Sequence, residues 1–98
     1  MKVVLSSRAT VDLKEIGRFI ALDNPARAAS FVIELREVTL RLVDLPLGFP
    51  LVPRYEAHGI RRRSFRGYGI LYSVLADRLF VHRIIGPGQD HDRALRLR

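Results

Sequence analysis

The stretch IRRRSFRGYGILYSVLADRLFVHRII, residues 60–85, decides the fold of this 98-residue chain. It contains two runs rich in β-branched, aromatic and other apolar residues, at 68–75 and 79–85, preceded by a run at 60–65 that begins with Ile60 and ends with Phe65. The connections between them are short, and the first is Arg66-Gly67. Runs of this length separated by turn residues predict β-strands in a hairpin arrangement. The stretch therefore predicts a three-stranded antiparallel meander.

The residues before this meander predict a short strand and a helical hairpin. Lys2 to Leu5 is an apolar run that can join the sheet as a strand. Ser6-Ser7 offers a helix cap, and Asn24-Pro25 offers the cap and the first residue of a second helix. Apolar residues at helical spacing follow both caps, which predicts helices ending near Asp23 and Asp44.

Two further segments complete the predicted fold. The residues 45–53 hold three prolines and a glycine, which excludes regular structure there. Residues 89–98 predict a short basic helix or an irregular end. The chain is thus expected to form one α+β domain over residues 1–98, with the order β-α-α-β-β-β and a helical hairpin packed on an antiparallel sheet.

Composition excludes several classes of protein. The chain has no Cys, so a disulfide framework, a thiolate nucleophile and a Cys-ligated metal are all excluded. No apolar run approaches the roughly 18 residues of a membrane span. The start of the chain is also too short and too soon charged for a signal peptide. These features predict a cytoplasmic protein without membrane contact.

Positive charge is concentrated in the second half of the chain. Lys and Arg number 17 against 10 Asp and Glu, a formal net charge of +7. Residues 1–53 hold seven bases and six acids, whereas residues 54–98 hold ten bases, all Arg, and four acids. Arginine suits planar, bidentate recognition of phosphate or carboxylate. This half is therefore expected to meet an anionic partner.

The densest cluster is Arg61, Arg62 and Arg63 together with Arg66. Alternation along a strand places Arg61 and Arg63 on one face of the sheet and Arg62 on the other. Helices covering one face would leave the opposite face exposed and basic, with Arg83 of the last strand contributing. We expect these five arginines to bind the target of the protein.

The second helix carries more apolar residues than one core-facing stripe requires. Ala29, Ile33, Leu40 and Val43 lie beside its central stripe, so its apolar arc exceeds half the circumference. Two interpretations remain open at this point. Either the helix is deeply buried between the first helix and the sheet, or these four residues form a binding surface for a partner chain.

Catalytic and metal-binding patterns are weak in this sequence. Asp90, His91 and Asp92 are consecutive, so their three side chains cannot all point toward one metal ion. The sequence also has no second cluster of His and Asp at the spacing that metal ligands require. His91 is the one candidate acid or base in the tail. Gly86-Pro87-Gly88 follows a strand without a phosphate-loop lysine after it. The residues alone predict a basic binding module that needs no cofactor and no metal.

The order of elements and several local phrases resemble toxins of the ParE/RelE superfamily from bacterial type II toxin–antitoxin systems. The resemblance covers essentially the whole chain. The matching phrases, in chain order, are Ala9-x-x-Asp12-Leu13-x-x-Ile16, Phe19-Ile20, Asn24-Pro25-x-x-Ala28, Leu45-Pro46, Gly59-Ile60-Arg61, Tyr68-x-Ile70-x-Tyr72-x-Val74 and Ile84-Ile85-Gly86-x-Gly88-Gln89-Asp90.

The superfamily implies two possible activities. RelE-like members cut mRNA on the ribosome and typically present sheet arginines together with a C-terminal Tyr or His. In this chain Arg61, Arg83 and His91 are the candidates for that chemistry, but no aromatic residue other than His91 follows Ile85. ParE-like members bind DNA gyrase without such a set. The Asn24-Pro25 restart and the Gly86-x-Gly88-Gln89-Asp90 ending also look more like ParE, so the resemblance favours a gyrase inhibitor.

The resemblance also implies a cognate antitoxin, whose acidic C-terminal segment wraps the toxin. The expected contacts are a helix against the apolar arc containing Ile33 and Leu40, and charge pairing with the Arg-rich half. A third possibility, from outside the family, is a basic nucleic-acid-binding module that is not toxic.

Overall fold

The computed structural model describes residues 1–96. Its elements are β1 (Lys2–Leu5), α1 (Ser7–Ala21), α2 (Pro25–Leu40), β2 (Arg61–Phe65), β3 (Tyr68–Val74), β4 (Arg78–Ile85) and α3 (His91–Leu95). The predicted α+β fold and the order β-α-α-β-β-β are confirmed, with α3 following them. The predicted basic end of the chain reaches Arg98, and its last two residues lie outside the described range.

Both predicted helix starts are confirmed by their caps. The Ser6 Oγ accepts a hydrogen bond from the backbone N–H of Ala9 at 3.0 Å. The Asn24 Oδ1 accepts one from the N–H of Arg27 at 3.0 Å, with Pro25 at the first helical position. Each cap satisfies a donor that the first turn of a helix leaves unpaired.

The two helices approach closely at Gly17 on α1. A Cβ atom at this position would lie 3.1 Å from Cγ2 of Val32 on α2, which is tighter than ordinary van der Waals contact. The absence of a side chain therefore lets the two helix axes come together. This close packing offsets the cost of about 1 kcal/mol that glycine carries in a helix interior.

The second helix ends earlier than the sequence predicted. α2 stops at Leu40 and continues as a 3₁₀ helix over Arg41–Asp44. The prediction of one helix to Asp44 is therefore wrong for the last turn. A 3₁₀ helix has 3.0 residues per turn against 3.6 in an α-helix, and a segment of 4 residues is too short for apolar spacing to show this difference.

The sheet has the strand order β1-β4-β3-β2 and is mixed. β2 pairs with β3 and β3 pairs with β4 in antiparallel fashion, as the meander predicted. β1 pairs with β4 in parallel, from Lys2 opposite Arg78 to Leu5 opposite Val81. The expectation of a purely antiparallel sheet is corrected at this one pair.

One face of the sheet packs on the helical hairpin and forms the main core. Its fully buried members include Leu35 of α2, Tyr72 of β3 and Val81 of β4. The Tyr72 hydroxyl donates a hydrogen bond to the carbonyl of Pro46 at 2.7 Å, which fixes the Pro-rich segment over this core. Burial of the ring raises the pKa of Tyr72, so the hydroxyl remains a donor at neutral pH.

The opposite face of the sheet is covered as well. Val52, Tyr55 and Ile60 from the segment before β2 pack on Leu71 and Ile85 together with Ala94 of α3. The Tyr55 hydroxyl donates to Oδ1 of Asp92 at 2.5 Å, and Arg54 pairs with the same carboxylate, which joins this segment to α3. The prediction that this face is exposed and basic is therefore wrong.

Two features are absent from residues 1–96. No helix in this range is long and apolar enough to cross a membrane. No group of three or more His, Asp or Glu side chains in the same range is placed to hold a metal ion.

Candidate functional site

The arginines of β2 lie on alternate faces of the sheet edge, as predicted. Arg61 and Arg63 stand opposite Tyr72 and Ile70, whose side chains face the helices. Arg62 stands opposite Leu71, which faces the other side. Because β2 is the last strand in the sheet order, the three side chains reach the surface around that edge. All three are partly exposed rather than spread over an open face.

Arg61 and Arg63 also hold the Pro-rich segment in place. The Arg61 Nη1 donates to the carbonyl of Phe49 at 2.7 Å. The guanidinium of Arg63 lies 4.9 Å from the centre of the Phe49 ring, a cation–π contact. Each arginine keeps its charge toward solvent while part of its side chain packs on the protein. These two residues thus combine a structural contact with a surface charge.

Arg66 is the most open member of this cluster. Its side chain is 60% exposed, and its guanidinium lies 5.3 Å from the Phe65 ring centre. Its Nε lies 3.6 Å from Oε1 of Glu34, and the other oxygen of that carboxylate, Oε2, accepts a hydrogen bond from Arg27 at 2.5 Å. The hydrogen bond from Arg27, followed by the nearby positive charges, lowers the pKa of Glu34. One carboxylate is thus shared by two arginines, so Arg66 retains positive charge for a partner.

Arg62 contacts His91 on the outer side of the sheet edge. The Arg62 Nη1 lies 2.8 Å from Nε2 of His91, and the Arg62 Nε donates to Ser64 Oγ at 3.0 Å. Burial, and secondarily the Arg62 charge, lower the pKa of His91 despite the opposing effect of two nearby aspartates. The imidazole is therefore neutral at pH 7 and accepts the hydrogen bond from the guanidinium.

Arg83 does not belong to the exposed basic surface that the sequence predicted. Its Nε and Nη2 donate to the two carboxylate oxygens of Asp12 at 2.8 and 3.0 Å, and its Nη1 donates to the Ala94 carbonyl at 2.9 Å. The side chains of Arg83 and Asp12 are only 15% and 10% exposed. Arg83 is thus a bidentate ion-pair partner that joins α1, β4 and α3.

The Asp12 carboxylate also completes the sheet. β1 pairs only with the first half of β4, so the backbone beyond Val81 lacks a strand on that side. The Asp12 Oδ2 accepts a hydrogen bond from the N–H of Ile84 at 2.9 Å. The sequence analysis gave Asp12 no such role. The signal was its position within the apolar stripe, three residues after Ala9 and four before Ile16.

The three candidates for RNA cleavage are each bonded within the chain. Arg61 binds the carbonyl of Phe49, Arg83 binds Asp12, and His91 binds Arg62. A general acid or base must reach the reacting proton, and an arginine must reach the developing phosphate charge. The described structure therefore does not bring these three side chains together around one open position.

The helical hairpin exposes an apolar surface on α2, which we call the apolar flank (Ala29, Ile33 and Leu40). Ile33 is 58% exposed and Leu40 is 43% exposed, and Ala29 is exposed too. Spacings of four and seven residues place all three on one side of the helix. The expectation that the helix has apolar residues outside its core contacts is thus confirmed for these three.

Val43 does not share this surface. It lies in the 3₁₀ helix after α2 and is half-buried against the main core. Its predicted position on the exposed arc is wrong because the chain leaves the α-helix at Leu40. Sequence reasoning also missed two apolar residues at the end of α1, since Phe19 is 68% and Leu22 is 81% exposed. Phe19 falls outside the apolar stripe of α1, which was the available signal.

The half-buried His82 predicts a pH dependence of stability. Its Nε2 lies 2.8 Å from Ser73 Oγ, and burial lowers its pKa below 6.5. The unfolded chain takes up a proton near pH 6.5 while the folded chain resists it, so the free energy of unfolding should fall as the pH falls below 6.5. Urea unfolding at pH 7 and pH 5 measures this. His82→Gln should reduce the pH effect, and an unchanged pH effect in that variant would contradict the assignment.

The structure is thus that of a small α+β protein with a basic sheet edge and an exposed apolar helical flank. The family model described as "ParE toxin of type II toxin-antitoxin system, parDE" matches residues 3–90. The chain belongs to this family and is thus a toxin of the ParE type, whose system includes an antitoxin. The resemblance inferred from the sequence is confirmed.

Two further comparisons bear on this result. The solved structure entitled "Chromosomal ParDE TA system from P. aeruginosa" contains a chain that superposes with a TM-score of 0.77 at 19% identity. The superposition covers 89% of this chain and 96% of that chain, which shows that the two share a fold. A search of curated proteins gave no match.

Proposed function

We propose that residues 1–98 act as a single toxin domain that inhibits DNA gyrase by binding and has no catalytic chemistry of its own. A cognate antitoxin neutralises it, and a gyrase inhibitor of this kind acts in the cytoplasm. Membership of the ParE family supports the choice of target. One observation favours inhibition by binding over RNA cleavage. Arg61, Arg83 and His91 are each bonded to a different partner within the fold.

The proposed target-binding surface is the basic edge of the sheet, formed by Arg61, Arg62, Arg63 and Arg66. All four side chains reach solvent, and one nearby carboxylate, Glu34, offsets part of their charge. Arg83 is left out of this surface because its guanidinium is paired with Asp12 and largely buried. A basic edge of this kind raises the rate of encounter with an acidic or nucleic-acid-bound target.

The proposed antitoxin-binding surface is the apolar flank. Exposed aliphatic side chains in one row along a helix fit a partner helix that contributes its own apolar face. An acidic antitoxin segment would also be attracted to the net positive charge of the chain. A disordered antitoxin tail could then fold as it binds the toxin.

A supercoiling assay with purified gyrase and the purified chain tests the target. We expect loss of supercoiling and accumulation of the cleaved gyrase–DNA complex. Intact gyrase activity together with codon-dependent mRNA cleavage on ribosomes would instead establish the RelE-like alternative. Binding to free duplex DNA without growth arrest would support the non-toxic nucleic-acid-binding module.

A charge-removal variant tests the surface. Replacing Arg62, Arg63 and Arg66 by Gln removes three charges but keeps much of each aliphatic stem. We expect the concentration needed for half-inhibition of gyrase to rise by about tenfold or more. The matched control replaces three exposed bases of the helical hairpin, Lys14, Arg18 and Arg36, by Gln. Equal losses in the two variants would indicate that only the total charge matters.

A further inference from the structure

A second basic site lies between the start of α1 and α3, whose first residue His91 contacts Arg62 of the first site. It is a cleft of about 390 Å³ whose lining includes Arg8, Arg83, Arg93 and Arg96. Two adjoining depressions, of about 320 and 210 Å³, share Arg8 and Arg83 with it. Because Arg83 belongs to β4 and the proposed target-binding arginines surround β2, the two basic sites are separated in the sheet by β3.

Three of the four guanidinium groups in this cleft carry uncompensated charge. Arg83 is neutralised by Asp12. Within residues 1–96, no carboxylate lies within 4.0 Å of a guanidinium nitrogen of Arg8, Arg93 or Arg96. Asp90 also lines the cleft, where its Oδ1 accepts the N–H of Asp92 as the cap of α3. The charges therefore repel one another unless an anion lies between them.

The position of Arg8 adds to this repulsion. It lies in the first turn of α1, where the helix dipole is positive and a basic side chain is disfavoured. That turn contains no acidic residue to offset the cost. An unfavourable local placement of this kind, which no other group in the fold offsets, is typical of binding sites.

The lining of the cleft favours phosphate over an acidic peptide. Its remaining members among residues 1–96 are Gly88, Gln89 and Ala94, so this described part of the chain contributes no large apolar side chain to the cleft. Peptide docking draws most of its affinity from buried apolar and aromatic anchors. Binding to a phosphodiester backbone depends chiefly on clustered positive charge and the forked geometry of arginine.

We infer that this cleft, through Arg8, Arg93 and Arg96, binds the phosphodiester backbone of a nucleic acid. The inference goes beyond the proposed function because it concerns the free chain and a different part of its surface. A gyrase inhibitor that also holds the phosphate backbone would have two points of contact with a gyrase–DNA complex.

Fluorescence anisotropy of the full chain with a short labelled DNA duplex tests this inference. The triple variant Arg8→Gln, Arg93→Gln and Arg96→Gln should bind at least about tenfold more weakly at low salt, since each lost phosphate contact removes about 0.9 from the salt slope. The control variant Lys14→Gln, Arg18→Gln and Arg36→Gln loses the same charge from exposed positions of the hairpin. It should keep a larger salt slope than the cleft variant.

Two companion probes identify the source of the phosphate and the class of partner. A single-stranded RNA of the same length, compared with the duplex, shows which nucleic acid the cleft prefers. Weaker binding of either nucleic acid to the cleft variant supports the inference. The inference is overturned if the cleft variant and the control variant weaken nucleic-acid binding equally. It is also overturned if a polyglutamate peptide binds more tightly than nucleic acid and the cleft variant abolishes that peptide binding. The gyrase assay is a separate measurement. If the chain fails to bind nucleic acid, the proposed inhibition of gyrase is unaffected, and if it fails to inhibit gyrase, the inference about the cleft is unaffected.

Discussion

Replacing Asp12 by Ala is expected to lower the free energy of unfolding by about 3–5 kcal/mol, the cost of leaving a buried charge without its partner. Arg83 would lose both hydrogen bonds to the carboxylate, and the N–H of Ile84 would lose its acceptor. A small domain has about 5–15 kcal/mol of stability in total, so the variant should be partly unfolded at 37 °C. Urea unfolding followed by circular dichroism measures the loss.

Two further variants separate the ion pair from other effects. Asp23→Ala removes an exposed carboxylate after the end of α1 and should change stability by no more than about 0.5 kcal/mol. The double variant Asp12→Asn, Arg83→Met removes the charge pair but leaves an amide oxygen for Ile84. It should recover much of the stability that Asp12→Ala loses, because the buried arginine charge is gone. A loss below about 1 kcal/mol for Asp12→Ala would contradict the proposed importance of the pair.

Introducing aspartate into the apolar flank is expected to have the second-largest effect, on antitoxin binding. Ile33→Asp together with Leu40→Asp would put two carboxylates where an apolar helix face must dock, and would repel an acidic partner segment. The dissociation constant for the antitoxin should rise by about a hundredfold or more, the range found for central interface residues. Isothermal titration calorimetry with the cognate antitoxin measures it.

The fold should survive this change, since both side chains are largely exposed. Leu75→Asp is the matched control, because Leu75 is 40% exposed and lies in the connection between β3 and β4. That variant should bind the antitoxin as the unaltered chain does. Undiminished binding by the flank variant would show that the antitoxin docks elsewhere, and Phe19 and Leu22 would then be the next residues to test.

The sequence predicted the elements of this fold well wherever the signal was local. Asn24-Pro25 marks the start of α2 because both residue types act within one helical turn. Arg66-Gly67 marks the first hairpin, where both residues adopt positive φ. The 3₁₀ helix after Leu40 escaped prediction because a segment of 4 residues is too short to show its different side-chain period.

The candidate sites were predicted less well because they depend on contacts between distant parts of the chain. Strand alternation correctly placed Arg62 on the opposite face of the sheet from its neighbours in β2. No periodicity in the segment before β2 revealed that this segment covers the outer face. The pairing of Asp12 with Arg83 spans 71 residues, and nothing in either neighbourhood specifies it. The basic cleft at Arg8 combines residues from the two ends of the chain in the same way.

The parallel pairing of β1 with β4 has a consequence for synthesis of the toxin. During synthesis β1 has no neighbour in the sheet until residues 78–81 have been made. Such distant pairing delays folding, because the intervening chain must be ordered first. A nascent chain that stops at β3 therefore lacks both the partner of β1 and the arginine that Asp12 holds. Residues up to about Ile85 must therefore be made before the native sheet and its Asp12–Arg83 pair can form.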